Sequence, residues 1–400
     1  MNGLRFVINN KSRPKQVVSD LLKYFDNEQA QKALEYHYSY SEYTPTPLIC
    51  INSLAKNLNL NKVIVKDESK RFGLKAFKVL GGSYAIGKYL YDKTGIDNGH
   101  MDFNLLQSSE FKNNIGEIVF CTASDGNHGR GVAYIAVRLG YKAVIYLPEG
   151  TVPNRIKAIS ETGAETIVTD GDYDQTVLMA RQASEKNDWV LIQDTSWPGY
   201  HQIPLWIMQG YLTMVQEIFD QMDTNSIEKL THIFLQAGVG SMAAAVIGAL
   251  VNKYGTSSPK IIIIEPLEAA CFYESVLKGG DKPLPSEGTL KTIMAGLSCG
   301  VPSELAYDII VRHADYFLAC DDTFTVNGMK LLAHPLGDDP PIISGESGAV
   351  GAGLLRAIMK NDEYRELRKE LKLDNNSSVL LLNTEGDTDP ENYFKIVGAN

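Results

Sequence analysis

Lys78 is the residue of this chain whose neighbours most favour covalent chemistry. Phe77, Val79 and Leu80 surround it with apolar side chains. Burial among such side chains disfavours the charged ammonium, and a neutral lysine amine can attack a carbonyl carbon. We therefore expect Lys78 to be a nucleophile, provided that the rest of the chain binds a cofactor with a carbonyl group. Four nearby lysines lack this setting and are expected at the surface: Lys66, Lys70, Lys75 and Lys88.

The segment Ser124-Asp-Gly-Asn-His128 follows a predicted strand and opens a predicted helix. Ligands of parallel sheets bind at the carboxyl ends of the strands, and the amides at a helix start attract a carboxylate or a phosphate. The side chain of Asn127 can both donate and accept a hydrogen bond. The segment therefore predicts a ligand-binding turn. The alternative is that Asp125 or Asn127 merely caps the helix.

A second turn, at residues 238–242, places two glycines and a serine at the start of an alanine-rich helix. Such a turn forms a cradle of backbone amides, which most often binds phosphate. Ala243 stands where a dinucleotide-binding fingerprint has its third glycine, and this weakens a nicotinamide interpretation. A phosphate site is the expectation, and a close-packed helix start is the alternative.

Thr384 lies just past the apolar run 379–382, where its hydroxyl could point into a site at the end of a strand. The alternative is that the hydroxyl bonds only its own backbone, as is usual in turns. A lysine for a Schiff base, a phosphate cradle, an asparagine-bearing turn and a hydroxyl at a strand end are together the set that pyridoxal phosphate requires. This cofactor is an electron sink that stabilises negative charge at the α-carbon of an amino acid.

Four motifs resemble those of the fold-type II pyridoxal-phosphate enzymes, the group that contains threonine dehydratase and the tryptophan synthase β-subunit. They are Phe77-Lys-x-x-Gly81, Ser124-x-Gly-Asn-His128, Gly238-Val-Gly240 and Ser347-Gly-Ala349. The resemblance covers most of the chain, from residue 44 to residue 389, with the motifs in the family's order. It implies an α/β fold of two three-layer domains with mainly parallel, twisted sheets, and a homodimer.

Within this group, the chain resembles the diaminopropionate ammonia-lyases. The stretches that carry this closer resemblance are 65–74, 125–131, 193–197, 207–210 and 384–389. It implies a pyridoxal-phosphate-dependent α,β-elimination. The reaction converts D- and L-2,3-diaminopropionate to pyruvate and ammonia through an aminoacrylate intermediate.

The resemblance also implies roles for individual residues. Lys78 would hold the cofactor as a Schiff base, Asn127 would bond its phenolic oxygen, and Thr384 would face its pyridine nitrogen. The phosphate would lie on residues 238–242, and the substrate would lie on residues of the first turn. The residues concerned are Gly238, Val239, Gly240, Ser241 and Met242 for the phosphate, and Ser124, Asp125, Gly126 and His128 for the substrate. No metal site is predicted.

Two acidic residues sharpen the substrate prediction. Asp125 occupies a position that is small and neutral in the wider family. A carboxylate beside the substrate's own carboxylate is costly unless it meets a cation or transfers a proton, and diaminopropionate supplies a second ammonium as that cation. Asp194, at the end of the predicted strand 190–193, is the other acid expected near the cofactor. Helix capping is the alternative for both, whereas Asp172 and Asp174 are expected to be helix-start residues.

The predicted mechanism uses two bases. Enantiomers held by the same carboxylate and amine present their α-hydrogens to opposite faces of the cofactor ring. Lys78 is therefore expected to serve the L isomer and Asp125 the D isomer, while Asp194 or Asp125 helps to protonate the leaving amine. Two alternative functions stay open: a pyridoxal-phosphate-dependent serine or threonine dehydratase, and a non-catalytic protein that binds pyridoxal phosphate or a nucleotide. A nicotinamide oxidoreductase would rest on Gly238-x-Gly240 alone.

Nine short apolar runs predict the strands that lead into these turns. They lie at residues 63–65, 118–120, 143–147, 166–168, 190–192, 233–235, 261–264, 316–318 and 379–382. Stretches of helical composition separate most of them, at 129–139, 173–186, 205–219 and 350–359. This alternation is typical of parallel sheets covered on both faces by helices, and it predicts the α/β class.

The remaining segments predict the organisation of the chain. Residues 36–40 and 44–47, rich in aromatic residues and proline, are expected to be extended, and residues 279–302, rich in glycine and proline, to form a long surface loop. We expect a large cofactor-binding domain made of residues 1–85 and 205–400. Residues 86–204 are expected to form a small substrate-side domain.

Composition restricts the partners and the location. The net charge of −10 argues against nucleic acid and anionic membrane surfaces, which leaves a small amino acid as the expected partner. Residues 1–15 lack the order of a signal peptide, and no apolar run approaches the roughly 20 residues that span a membrane. A cytoplasmic location is therefore expected. The five cysteines form no C-x-x-C pair, which is typical of reduced thiols, although a disulfide between Cys271 and Cys299 is an open alternative.

Overall fold

The structure is a computed structural model that describes residues 3–10, 19–95, 101–225 and 227–398. The strands of this described part are β1 (Leu4–Ile8), β2 (Leu48–Cys50), β3 (Lys62–Asp67), β4 (Val119–Ala123), β5 (Lys142–Leu147), β6 (Glu165–Val168), β7 (Val190–Leu191), β8 (His232–Gln236), β9 (Lys260–Pro266), β10 (Tyr316–Cys320) and β11 (Ser378–Asn383). They form a larger sheet in the order β1-β10-β9-β8-β11-β3-β2 and a smaller sheet in the order β6-β5-β4-β7. The smaller sheet is parallel throughout. In the larger sheet, only the edge strands β1 and β2 run antiparallel to their neighbours.

Helices connect the strands and cover the sheets. They are α1 (Asn27–Tyr38), α2 (Asn52–Leu58), α3 (Val79–Thr94), α4 (Phe103–Gln107), α5 (Ser109–Ile115), α6 (Asn127–Arg138), α7 (Pro153–Ser160), α8 (Tyr173–Asn187), α9 (Gln202–Gly210), α10 (Leu212–Thr224), α11 (Ser241–Tyr254), α12 (Cys271–Leu277), α13 (Glu304–His313), α14 (Asp322–Ala333), α15 (Glu346–Lys360), α16 (Arg365–Leu371) and α17 (Pro390–Val397).

These elements confirm the predicted α/β class. Each of the nine apolar runs overlaps one of the strands β3 to β11, and each predicted helical stretch overlaps a helix, with 205–219 divided between α9 and α10. A parallel strand covered on both faces is apolar along its whole length, so its run is visible in the sequence. The sequence analysis did not predict the edge strands β1 and β2, because they are short and only partly buried.

The prediction that residues 36–40 are extended was wrong, because α1 continues to Tyr38. Asp26 caps this helix by accepting a hydrogen bond from the Gln29 amide at 2.9 Å. The buried positions 30, 33, 34 and 37 recur at helical spacing, which the aromatic composition of the cluster conceals.

The expectation of a surface position for Lys66 was also wrong. Its side chain is fully buried, and Nζ donates to the carbonyl oxygen of Thr46 and to Glu217 Oε2, at 2.6 Å each. Arg71, which is buried as well, pairs with both Glu68 and Glu217. Two cations and two carboxylates balance one another, which offsets the cost of burying the charges. The network fixes the chain between β3 and α3 against α10.

The segment 279–302 is irregular, as predicted, with one short 3₁₀ turn at Ala295–Leu297. Its second half does not lie at the surface, however, because Met294, Leu297 and Cys299 are buried. Cys271 and Cys299 are both free thiols.

The division into two domains stays a prediction, which the membership of the sheets supports. The strands β4 to β7 of the smaller sheet all lie within residues 86–204, and the strands of the larger sheet all lie outside that range.

No helix in the described ranges has the length and hydropathy needed to cross a membrane. Residues 1, 2 and 11–15, which belong to the stretch considered for a signal peptide, lie outside the described residues.

Candidate active site

Backbone pairing fixes the segment that leads into Lys78. The amide of Phe77 donates to the carbonyl oxygen of Thr384 at 3.2 Å, and Ala76 forms an antiparallel bridge with Glu385. The chain before Lys78 is therefore joined to the turn that follows β11, the strand between β8 and β3 in the larger sheet.

Two glycines let α6 and α9 approach α3 just behind Lys78. A Cβ atom at Gly131 would lie 2.8 Å from Cα of Val79, and one at Gly210 would lie 2.4 Å from the carbonyl oxygen of Leu80. Both neighbours are backbone atoms, which cannot move aside as a flexible side chain can. The start of α3 is thus wedged between two helices, and this holds Lys78 in place.

Two carboxylates meet the ammonium of Lys78. Nζ donates to Asp194 Oδ2 at 3.1 Å and lies 3.9 Å from Asp125 Oδ1. The structure therefore brings together the three residues predicted to be catalytic.

The predicted effect on the Lys78 amine was wrong in direction. Burial lowers the pKa of Lys78, but the carboxylates of Asp194 and then Asp125 raise it by more, so that the pKa lies above the ordinary lysine value. The side chains of Val79 and Leu80 point into the core and are fully buried. The sequence neighbours of Lys78 do not determine its charge, because the two carboxylates, of Asp125 and Asp194, belong to residues that are distant in the sequence.

Three side chains other than Lys78 donate hydrogen bonds to Asp194. Its Oδ1 accepts hydrogen bonds from the Tyr173 hydroxyl at 3.3 Å and from Gln193 Nε2 at 3.4 Å, and its carbonyl oxygen accepts one from the Ser241 hydroxyl at 2.6 Å. Burial raises the pKa of Asp194, but the Lys78 ammonium lowers it by more, to about 2. Asp194 is therefore a fixed carboxylate that keeps a proton on Lys78.

The side chains of Ser124 and His128 point away from the cavities described below. Ser124 Oγ accepts hydrogen bonds from the amides of Gly126 and Gly129, at 2.9 and 2.7 Å. His128 Nε2 donates to the carbonyl oxygen of Ile192 at 2.6 Å. Nδ1 of the same ring lies 3.9 Å from Asp194 Oδ2. A substrate contact from Ser124 or His128 would thus have to come from the backbone.

Neither Asp125 nor Asn127 caps a helix. Gly126, with a φ of +142°, is the N-cap of α6, and no side chain caps that helix. Asn127 Nδ2 instead donates to Glu385 Oε2 at 2.5 Å. Asp172, in contrast, caps α8 through the amide of Gln175, as expected, and Asp174 lies in the first turn of that helix.

The turn at residues 238–242 joins β8 to the fourteen-residue helix α11. Gly240 has a φ of +93°, and a Cβ atom there would lie 2.4 Å from the ring of Phe272. A Cβ atom at Gly238 would lie 3.0 Å from Cys299 Sγ. Position 240 therefore requires glycine and Gly238 is closely packed, and the amides at the helix start are suited to a phosphate.

Thr384 directly follows β11. Its hydroxyl accepts a hydrogen bond from Gln236 Nε2 at 3.3 Å, and the same amide nitrogen donates to the carbonyl oxygens of Leu382 and Ser347. The hydroxyl thus bonds a neighbouring side chain and does not turn back on its own backbone.

A single cavity, the cofactor cavity, collects these groups. It contains about 510 Å³ of empty space, including the part open to solvent. Its walls include the predicted residues Lys78, Asn127, Asp194, Thr384 and 238–242. The lysine amine suits the aldehyde of pyridoxal phosphate and the glycine cradle suits its phosphate, so the residues fit this cofactor.

A wider cavity, the entrance cavity, adjoins the first. Asp125 lines it, together with residues 148–155 and 171–173 from the side of the smaller sheet and residues 289–293 from the irregular segment. Asp125 therefore lies at this cavity with its carboxylate 3.9 Å from Lys78 Nζ.

Sequence reasoning missed several residues of the cofactor cavity. Tyr211, Gln236 and Leu297 line it, as does Glu385, whose side chain is 1% exposed. Glu385 directly follows Thr384, so its position past a buried strand was an available signal. Its partners, however, are visible only in the fold.

Comparisons with known proteins agree with this site. A family model for pyridoxal-phosphate dependent enzymes matches residues 40–384. The diaminopropionate ammonia-lyase of Salmonella typhimurium (strain LT2) is 44% identical over 389 residues, which are 97% of this chain and 96% of the relative.

Solved structures give the same result. The crystal structure of diaminopropionate ammonia lyase from Escherichia coli in complex with D-serine has a TM-score of 0.91 at 42% identity, and the match covers 99% of this chain and 97% of that chain. The Escherichia coli enzyme in complex with an aminoacrylate-PLP azomethine reaction intermediate has a TM-score of 0.89 at 41% identity, with 99% and 97% covered.

The resemblance read from the motifs is thus confirmed along nearly the whole chain. The match reaches both sheets and both turns that meet at Lys78. This chain belongs to the diaminopropionate ammonia-lyase family, within the fold-type II pyridoxal-phosphate dependent enzymes.

Proposed function

We propose that this chain eliminates the β-amino group of D- and L-2,3-diaminopropionate. Elimination releases one ammonia and leaves an aminoacrylate, and hydrolysis with one water then gives pyruvate and a second ammonia. The observation that carries the proposal is the position of the Lys78 ammonium. It lies between two carboxylates, in a cavity that also holds a phosphate cradle.

The cofactor cavity supplies the contacts proposed for pyridoxal phosphate. Lys78 would bind its aldehyde carbon, residues 238–242 its phosphate, Asn127 its phenolic oxygen and Thr384 its ring nitrogen. When bound, the cofactor supplies an electron sink for the α-carbon. A neutral hydroxyl at the ring nitrogen suits elimination, because the leaving group carries the charge away.

Asp125 is the proposed binding partner of the second ammonium and the base for the D isomer. It lines the entrance cavity, and its carboxylate lies 3.9 Å from Lys78 Nζ, so it can face the same substrate as the lysine. Lys78 is the proposed base for the L isomer.

Asp194 is proposed to control the proton on Lys78. Its carboxylate stays ionised and lies within hydrogen-bond distance of Nζ. Nζ can take the α-proton of the substrate only as a neutral amine, and the Asp194 carboxylate then stabilises the ammonium that forms. This ammonium can then donate a proton to the departing amine, a step that general acids accelerate by roughly 10² to 10⁴.

The test measures the visible absorbance of the purified protein with pyridoxal phosphate, and pyruvate release from each enantiomer of diaminopropionate. We expect Lys78→Ala to lose the lysine-linked absorbance band and at least about 10³ of the rate, because the nucleophile and one base are both absent. Lys70→Ala, at an exposed lysine outside the cavity, is the matched control and should behave as the wild type. Full activity of Lys78→Ala would refute the proposal.

D- and L-serine are the comparison substrates in the same assay. Faster pyruvate release from serine than from diaminopropionate would favour a hydroxyamino-acid dehydratase instead. A non-catalytic cofactor-binding protein would release no pyruvate from any of the four compounds, and a nicotinamide oxidoreductase would form no Schiff base.

We also propose that the chain acts as a homodimer in the cytoplasm. Its five free cysteines support a reducing compartment. Light scattering coupled to size-exclusion chromatography measures the oligomeric state.

A further inference from the structure

Glu385 is a buried carboxylate of the cofactor cavity for which the proposed mechanism has no role. Its Oε1 accepts a hydrogen bond from the Ser347 amide at 2.9 Å. Its Oε2 accepts hydrogen bonds from Asn127 Nδ2 at 2.5 Å and from the Thr388 hydroxyl at 3.2 Å. All three donors are neutral.

The charge of this side chain needs an explanation. Burying a carboxylate costs free energy, which three neutral hydrogen bonds offset only in part. Lys78, the ammonium in the same cavity, bonds Asp194 instead. A second buried carboxyl, Glu346, also lies in the field of Glu385, and its pKa is raised by burial and then by Glu385. A neutral side chain at position 385 would connect the same segments at lower cost, so the negative charge points to a role toward a ligand.

The carboxylate fixes the orientation of the Asn127 amide. An ionised carboxylate only accepts hydrogen bonds, so Asn127 must turn Nδ2 rather than Oδ1 toward Glu385. One hydrogen of Nδ2 is then engaged, and the other is left for an acceptor in the cavity. Glu385 also bridges Ala76, two residues before Lys78, and binds the start of α15 through Ser347. Glu385 therefore connects three segments that line the cavity, those that contain Asn127, Lys78 and Ser347.

We propose that Glu385 is a positioning residue for the cofactor. It orients the Asn127 amide toward the cofactor, and its negative charge favours a proton on the bound cofactor. The inference rests on the proposed contact between Asn127 and pyridoxal phosphate.

The test is a double-mutant cycle on the affinity for pyridoxal phosphate, measured by titrating the cofactor into apo-protein. Glu385→Gln and Asn127→Ala should each weaken the Kd about tenfold, or about 1.4 kcal/mol. The double variant should bind pyridoxal phosphate almost as tightly as the single variant with the lower affinity, because both substitutions remove the same contact. Independent effects would multiply to about 100-fold.

A spectroscopic titration separates positioning from a merely structural role. In Glu385→Gln, the midpoint for deprotonation of the bound cofactor should shift to lower pH, because the negative charge is gone. In Glu385→Asp, the Kd should weaken while the midpoint stays, and this variant carries the test if Glu385→Gln folds poorly by apo-protein melting. Thr388→Val, which removes the bond to Oε2 without touching Asn127, is the control and should keep the Kd within about twofold.

Each remaining outcome overturns the inference. A wild-type Kd and midpoint in Glu385→Gln would refute this inference but not the proposed function. Effects that multiply in the double-mutant cycle would do the same. A wild-type Kd in Asn127→Ala refutes the proposed contact of Asn127 with the cofactor, and the inference with it.

Discussion

Two carboxylates face the Lys78 ammonium, and they differ in what they can reach. The Asp194 side chain is 3% exposed and is engaged by Tyr173 and Gln193. The Asp125 side chain is 15% exposed and lines the entrance cavity. Asp194 therefore contacts the lysine and is closed off from the entrance cavity, whereas Asp125 contacts the lysine and is open to that cavity.

Asp125→Asn should affect the two enantiomers unequally. The amide cannot accept the α-proton, so kcat/KM for the D isomer should fall by about 10² to 10⁴, the usual contribution of a general base. The L isomer, served by Lys78, should lose only the part that comes from binding its second ammonium. Steady-state pyruvate release from each enantiomer measures the ratio.

Asp172→Asn is the matched control for that substitution. Asp172 also lines the entrance cavity, and asparagine caps a helix as well as aspartate does. It should leave the ratio of the two enantiomers unchanged. Equal losses for both enantiomers in Asp125→Asn would count against two bases.

At the scale of elements, the sequence predicts the buried strands and the turns that directly follow them. Buried parallel strands such as β8 and β11 show as unbroken apolar runs, and the turns that follow them carry the predicted site. The bond between Asn127 and Glu385 joins residues 258 positions apart, and the one between Lys78 and Asp194 joins residues 116 positions apart. Such contacts, and the raised pKa of Lys78 that follows from them, exist only once the sheets are assembled.

Gly131→Ala should destabilise the packing of α6 on α3. The added methyl group would lie 2.8 Å from Cα of Val79, and overpacking of this kind costs about 1 to 3 kcal/mol. Because Val79 follows Lys78, the affinity for pyridoxal phosphate should weaken as well. Urea unfolding measures the first effect and cofactor titration measures the second.

Gly351→Ala, in the interior of α15, is the control for helix propensity. Its nearest neighbour would be a flexible side-chain atom of Leu381 at 3.5 Å, which is ordinary contact. This substitution should leave stability unchanged or raise it by up to about 1 kcal/mol. A Gly131→Ala variant as stable as Gly351→Ala would show that α3 is not wedged.

At the scale of the whole molecule, one buried carboxyl couples folding to pH. Burial raises the pKa of Glu265, in β9, to about 8, although the amides of Phe272 and Tyr273 lower it. A raised pKa means that the folded state keeps a proton that the unfolded state releases. The stability that Glu265 contributes is therefore fully present below pH 4.5 and is lost as the pH rises to 8.

Glu265→Gln should remove that pH dependence. Between pH 5 and pH 8, the unfolding free energy of the wild type should fall relative to that of the variant by on the order of a few kcal/mol. Urea unfolding at several pH values measures the difference. Glu228→Gln, at an exposed position, should run parallel to the wild type, and parallel curves for Glu265→Gln would contradict the assignment.

The two sheets carry different parts of the site. Lys78, Thr384 and residues 238–242 belong to segments that follow strands of the larger sheet, whereas Asp125 and Asp194 follow β4 and β7 of the smaller one. A substitution at Asp125 therefore alters the entrance cavity from the side of the smaller sheet. It leaves Lys78 and the turn at residues 238–242, which the larger sheet positions, unchanged in sequence and in their supporting strands.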